Sequence, residues 1–237
     1  MSNQVKDMTW REVQERLREF PVVIVPIGST EQHGYHLPIG TDVYLAEALA
    51  EKTAEKTGAL VYPSIHFGYS WSWRDRIGTV TIRQDILREI LKDVVRSVER
   101  YGVKILIFMN GHEANRSVIK YAIREIQDET DVKVLGMFYP GMEDKVLELT
   151  KKYDMMDRII VSSFNHYTIR SMKEKCPELK TGALYADGII NAVDYVADVV
   201  RADALHPGWT KIFYPNYLDD CRRRNILVHV WTINNEK

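Results

Sequence analysis

The chain has 237 residues, 45% of them hydrophobic and 27% charged, with a formal net charge of −1. That is enough to bury the core of one large α/β domain or two small ones, and the mixed signs leave no electrostatic footprint for nucleic acid or an anionic membrane. The first twenty residues lack a charged segment followed by an apolar one, and nowhere do about eighteen apolar residues run together, so neither export nor a membrane span is expected. Cys176 and Cys221 show no Cys-x-x-Cys spacing, which fits free thiols in a reducing cytoplasm.

In chain order, apolar runs recur at about 22–27, 59–63, 104–109, 132–138, 158–163, 181–185, 202–206 and 226–232. Between them lie amphipathic stretches such as 43–56, 84–101 and 115–129, each opening near a polar capping residue and carrying apolar side chains at helical spacing. This βα alternation predicts an α/β protein of eight parallel strands, either one closed (βα)8-like barrel or a continuous open sheet. Gly58, Gly102 and Gly188 fall near expected helix ends or turns, and Pro140-Gly141 interrupts the pattern after the fourth run.

The loop leaving the first run, GSTEQHGYHLPIGTD, places Glu31, His33 and Asp42 within twelve positions. Carboxylates and imidazoles at the C-terminal end of a buried parallel strand are metal-ligand chemistry where α/β sheets carry their sites. A second cluster, Asn110-Gly111-His112-Glu113-Ala114-Asn115, follows the third run, so two loops could converge on one centre. Each residue also has a plainer role. The first three could form a hydrogen-bonded loop network, His112 could cap the helix beginning near Asn115, and Glu113 could be a solvated first-turn acid suited to the helix dipole. His36 reads as a loop residue. Trp71, Trp73 and Arg74, in a glycine-punctuated aromatic loop, read either as core and surface or as a substrate pocket wall.

From about residue 22 to 138 the chain resembles the creatininase (creatinine amidohydrolase) family, through PIGSTEQHGYHLPIGTD, GYSWSWRDRIGTVTI and FMNGHEAN. The resemblance implies that Glu31, His33, Asp42 and His112 are metal ligands. Asp42 would bridge two divalent ions, with Glu31 and His112 on one and His33 on the other; zinc, manganese and iron all fit. Some members carry a carboxylate two residues after the His of this motif. Here that position is Ala114, and Glu113, one residue early, is the candidate substitute and catalytic group. From about residue 139 the segments IIVSSFNHYTIR, LKTGALYA, ADALHPGW and VHVWTINNE resemble the C-terminal half of a glycerophosphodiester phosphodiesterase, a (βα)8 barrel.

Together the two resemblances imply a chimera: a creatininase-like half at 1–138 joined to a half barrel at 139–237, the two sharing one core. Deliberate assembly is favoured over genome rearrangement. The phosphodiesterase motifs that supply metal carboxylates and an acid–base histidine pair are not found, so His166, His206 and Trp231 are pocket candidates without their partners. Three functions are carried forward. The first is metal-dependent hydrolysis of a C–N bond in a cyclic amide or formamide, with one or two ions. The others are an inert metal-binding scaffold and a glycerophosphodiester phosphodiesterase. A small-molecule substrate is expected, with no nucleic-acid or membrane partner; a homo-oligomer is an open option.

Overall fold

The computed structural model describes residues 2–138 and 143–231. The expected junction at Tyr139-Pro140-Gly141 and the end of the VHVWTINNE segment therefore lie outside the described residues. The chain divides into two compact units, Met1–Pro140 and Gly141–Lys237.

In the first unit, β1 (Val22–Ile27), β2 (Leu60–Val61), β3 (Ile105–Asn110) and β4 (Lys133–Phe138) form a parallel sheet in the order β2-β1-β3-β4. The register runs from Val22 opposite Ile105 to Ile27 opposite Asn110, so β1 and β3 end level with each other. Four helices connect and cover these strands: α1 (Trp10–Glu19), α2 (Thr41–Thr57), α3 (Gln84–Glu99) and α4 (Asn115–Ile126). Strand side chains alternate between faces. Val23, Val25, Ile27, Leu106 and Phe108 pack with Leu17 of α1, Leu87 and Leu91 of α3, and Val118 and Ile119 of α4. On the opposite face Ile24, Val61 and Met109 pack against Ala50 and Ala54 of α2. With helices on both faces, these strands need continuous rather than alternating apolarity, and VVIVPI and ILIFM have it.

The second unit holds another parallel sheet, β5 (Val161–Ser163), β6 (Thr181–Tyr185), β7 (Ala204–Pro207) and β8 (Leu227–Val228), in sequential order. Its helices are α5 (Glu143–Lys152), α6 (His166–Lys175), α7 (Ala192–Asp194), which continues as a π-helix over Tyr195–Val200, and α8 (Tyr217–Arg223). Ala183, Tyr185 and Leu205 pack against Ile169 of α6, Val196 and Tyr217, while Leu147 of α5, Met172 and Leu179 form a smaller cluster. Cys176 and Cys221 are buried free thiols within these clusters. The fold is therefore α/β, with eight parallel strands among the described residues, arranged as two four-stranded sheets. Among those residues no helix is long and apolar enough to cross a membrane.

Candidate metal centre

Three elements of the first unit deliver the candidate ligands. Glu31 lies four residues past the end of β1, Asp42 is the second residue of α2, and His112 lies two residues past β3. Close backbone approach sets their spacing. A Cβ on Gly28 would stand 2.5 Å from the Val43 amide nitrogen, and one on Gly111 would stand 2.0 Å from the Asp42 carbonyl oxygen. Glycine at both strand ends thus lets the first turn of α2 sit directly against β1 and β3. A carboxylate there also lies at the positive end of the helix dipole. The Asn110 side chain clamps the next loop, accepting from the His112 amide at 3.1 Å and donating to the His112 carbonyl at 2.7 Å.

The donor atoms of Glu31, Asp42 and His112 all lie within 4.8 Å of one another, and all three side chains are buried. His112 Nδ1 is 2.9 Å from Asp42 Oδ2 and 3.5 Å from Glu31 Oε1. Its Nε2 is 3.0 Å from the Tyr69 carbonyl, which can only accept, so Nε2 carries a proton and Nδ1 faces the carboxylates. Two lone pairs facing each other at 2.9 Å need a proton or a cation between them. Burial opposes charging His112, but Asp42, Glu31 and the Tyr69 carbonyl outweigh it and raise the imidazole pKa. Burial likewise raises the Glu31 carboxyl, against the opposing pull of His112 and a hydrogen bond from Ser70.

Two buried carboxylate oxygens, Glu31 Oε2 and Asp42 Oδ2, have no hydrogen-bond partner; with His112 neutral, its Nδ1, 2.9 Å from the latter, carries no proton to donate. Orphaned carboxylate oxygens are costly in a protein interior. Aimed with an imidazole nitrogen at one small volume, they fit a divalent cation.

His33 sits beside this trio and not within it. Its Nε2 is 3.0 Å from Asp42 Oδ1 and its Nδ1 3.1 Å from the Glu31 carbonyl oxygen. Glu113 is exposed, with Arg116 3.5 Å away. Trp71 and Trp73 form a single 3-10 turn; Trp71 is exposed, and the Arg74 guanidinium lies 4.6 Å over its ring. That turn is tethered to the centre through its preceding residues. The Tyr69 carbonyl holds His112, and the buried Ser70 hydroxyl bonds Ser29 and Glu31.

The candidates from the second half lie in the second unit. His166 bonds the Tyr195 hydroxyl at 3.2 Å and the Leu184 carbonyl at 2.8 Å. His206 bonds Ser162 and His229, and the Trp231 indole donates to the His206 carbonyl at 2.7 Å.

Asn115 was not singled out by residue type, yet it is fully buried and joins the loops of the centre. Its Nδ2 donates to the Gly28 carbonyl and its Oδ1 accepts from the Tyr69 amide, both at 2.9 Å. It therefore fixes the residue whose carbonyl sets the His112 tautomer. Only its place at the end of FMNGHEAN could have marked it.

The family model described as "Creatininase: Creatinine amidohydrolase" matches residues 6–182, past the expected junction at 138. A creatinine amidohydrolase from Pseudomonas putida is 32% identical over 153 residues, covering 62% of this chain and 56% of its own. A glycerophosphodiester phosphodiesterase from Caldanaerobacter subterraneus subsp. tengcongensis is 34% identical over 107 residues, covering 45% of this chain and 43% of its own. The chain spans about half the length of the curated relatives it matches. Among solved structures, a creatininase with Mn aligns with a TM-score of 0.57 at 26% identity, covering 84% of this chain and 74% of its own. A mutant creatininase of the Zn–Zn type aligns with a TM-score of 0.56, also at 26% identity, covering 84% and 73%. With the family model covering well over half its length and the buried carboxylate–imidazole trio falling inside the matched region, the chain belongs to the creatininase family.

Proposed function

We propose that this chain is a metal-dependent hydrolase of a C–N bond, acting on a small cyclic amide or formamide. The observation that carries this reading is the buried Glu31–Asp42–His112 trio with its two unpartnered carboxylate oxygens. A divalent ion held there would polarise a carbonyl oxygen and acidify water near neutral pH. Zinc, manganese and iron all suit mixed imidazole and carboxylate donors, and relatives of known structure include Mn and Zn–Zn forms. We assign His33, in contact with Asp42, to a second ion where two are bound. The Tyr69 carbonyl keeps His112 Nδ1 aimed inward, and Asn115 keeps Tyr69 in place. We assign proton exchange with the substrate to Glu113, and the pocket wall to Trp71, Trp73 and Arg74. The setting we assign is cytoplasmic, with homo-oligomerisation an accompanying option.

A second reading concerns the rest of the chain. The 34% identity to a glycerophosphodiester phosphodiesterase supports a phosphodiesterase-derived segment from about residue 139, fused to a creatininase-like 1–138. In that chimera His166, His206 and Trp231 are retained scaffold and pocket residues, and C–N hydrolysis is weak or lost while metal binding persists.

Metal analysis of purified protein, together with turnover of creatinine and other small cyclic amides, tests the proposal. At least one ion per chain is expected, and Asp42→Ala should remove most of it along with any turnover. Equal, sub-stoichiometric metal in wild type and variant would overturn the site. Full metal without turnover on any cyclic amide or formamide would leave the inert chimera.

A further inference from the structure

The second unit carries another group of metal-binding side chains, built with different chemistry. His206, on β7, has Nε2 2.9 Å from Nδ1 of His229, just past β8. Its other nitrogen, Nδ1, is 2.7 Å from the Ser162 hydroxyl on β5. The three side chains therefore form one line, hydroxyl to imidazole to imidazole, across the sheet.

The line depends on a gap in the intervening strand. A Cβ on Gly182 of β6 would lie 2.6 Å from His206 Nε2 and Cε1, so only glycine lets the ring cross β6 to reach Ser162. The backbones behind the two rings are paired. The His229 amide donates to the Leu205 carbonyl at 2.9 Å, the Trp231 amide to Pro207 at 3.1 Å, and the Trp209 amide to the Trp231 carbonyl at 3.0 Å. The Trp231 indole adds its bond to the His206 carbonyl. Both imidazoles thus project from fixed backbone.

We propose that His206 and His229 form a second cation site, taking a transition-metal ion of the imidazole-preferring class, Cu(II), Ni(II) or Zn(II). At metal–nitrogen distances of about 2.0–2.1 Å, two ligands at right angles stand roughly 2.8–3.0 Å apart, and two at the tetrahedral angle about 3.3 Å. The observed 2.9 Å matches the right angle, which Cu(II) and Ni(II) favour. Ser162 supplies the outer partner that a ligating histidine needs. By accepting the Nδ1 proton it leaves the Nε2 lone pair of His206 pointing at His229. His229 is exposed, so an ion can enter from solvent and keep water or a small ligand in its remaining positions. Hard oxygen-seeking ions such as Mg²⁺ and Ca²⁺ are not suited to two imidazoles.

Copper titration of the untagged full chain, read by electron paramagnetic resonance, tests the site. With the first centre removed by Asp42→Ala, one Cu(II) per chain should show coupling to two imidazole nitrogens. His229→Ala should abolish that signal, and Ser162→Ala should weaken binding about tenfold or more. In the wild-type background His229→Ala should lower copper stoichiometry by one, a comparison that does not require Asp42→Ala to fold. If the two-nitrogen signal is absent in both backgrounds, survives His229→Ala in the Asp42→Ala background, or the wild-type copper stoichiometry is unchanged by His229→Ala, the pair is only a hydrogen bond and the proposal is wrong. The outcome is independent of whether the Glu31–Asp42–His112 centre binds metal.

Discussion

Replacing Gly111 with alanine would put a methyl carbon 2.0 Å from the Asp42 carbonyl oxygen and 2.9 Å from its carbonyl carbon. Both are backbone atoms, so no rotamer relieves the clash. The first turn of α2 must retreat from the end of β3 until the contact reaches about 3.4 Å, well over an ångström of movement. Overpacking of this kind costs about 1–3 kcal/mol. The damage to the centre should exceed the damage to the fold, because ligand constellations tolerate only about 0.5 Å of error and Asp42 would move away from His112 Nδ1. Urea denaturation of the metal-free protein should show the stability loss, and calorimetric titration with Zn²⁺ or Mn²⁺ should show affinity falling at least tenfold. Gly102→Ala is the control. Gly102 has a φ of +90° and nothing within 4 Å of its added Cβ, so that substitution introduces backbone strain without crowding and should leave metal affinity intact. A Gly111→Ala protein within about 0.5 kcal/mol of wild type that binds metal normally would refute the idea that close approach positions Asp42.

Asn115→Ala removes two buried hydrogen bonds and leaves the Gly28 carbonyl and Tyr69 amide unpaired, for an expected loss of about 2–4 kcal/mol in chemical denaturation. Metal affinity should fall roughly 10–100-fold as the Tyr69 carbonyl loosens its hold on His112; unchanged affinity would remove Asn115 from the centre. In the second unit, Asp203 accepts from Lys173 at 2.8 Å and from the Thr181 amide at 2.9 Å. Burial pushes its carboxyl pKa up, but Lys173, Thr181 and Lys180 outweigh that and hold it below the usual range. Its stabilisation is therefore present above about pH 4 and lost as pH falls through the lower folded value. Asp203→Asn should cost about 1.5–3 kcal/mol at pH 7, with the gap to wild type closing in acid; a gap that does not narrow as pH falls would contradict the ion-pair account.

How much could be read beforehand varies by element for identifiable reasons. The runs at 22–27 and 181–185 match β1 and β6 end to end, since each is largely buried and both strands pair on both edges. The run at 59–63 shrinks to Leu60–Val61 at the sheet edge, where Pro63 has no amide to extend the ladder. Helix α1 lies outside the amphipathic stretches named above, although Thr9 and Glu12 form a reciprocal capping box that the sequence displays. Glu31, Asp42 and His112 were legible because their side-chain chemistry is itself the signal. The Tyr69 carbonyl and the Asn115 bridge were not, since a main-chain acceptor leaves no trace in residue type. Nor could spacing reveal that Ala50 and Ala54 of α2 cover the second face of the first sheet, which depends on where the helix crosses.

The contacts of α2 with Gly28 and Gly111 make its N-terminal turn a pivot and the rest of the helix a lever arm. Seventeen residues give an arm of roughly 25 Å. A tilt of about 5° about that pivot swings the Gly58 end by roughly 2 Å while displacing Asp42 by only a few tenths of an ångström. Disturbance arriving through the edge strand β2 meets the helix at Ala50 and Ala54, roughly two to three turns from Asp42. The donor set stays at the still end, and substitutions near residues 52–64 should be tolerated by the metal centre far better than any at the strand tips.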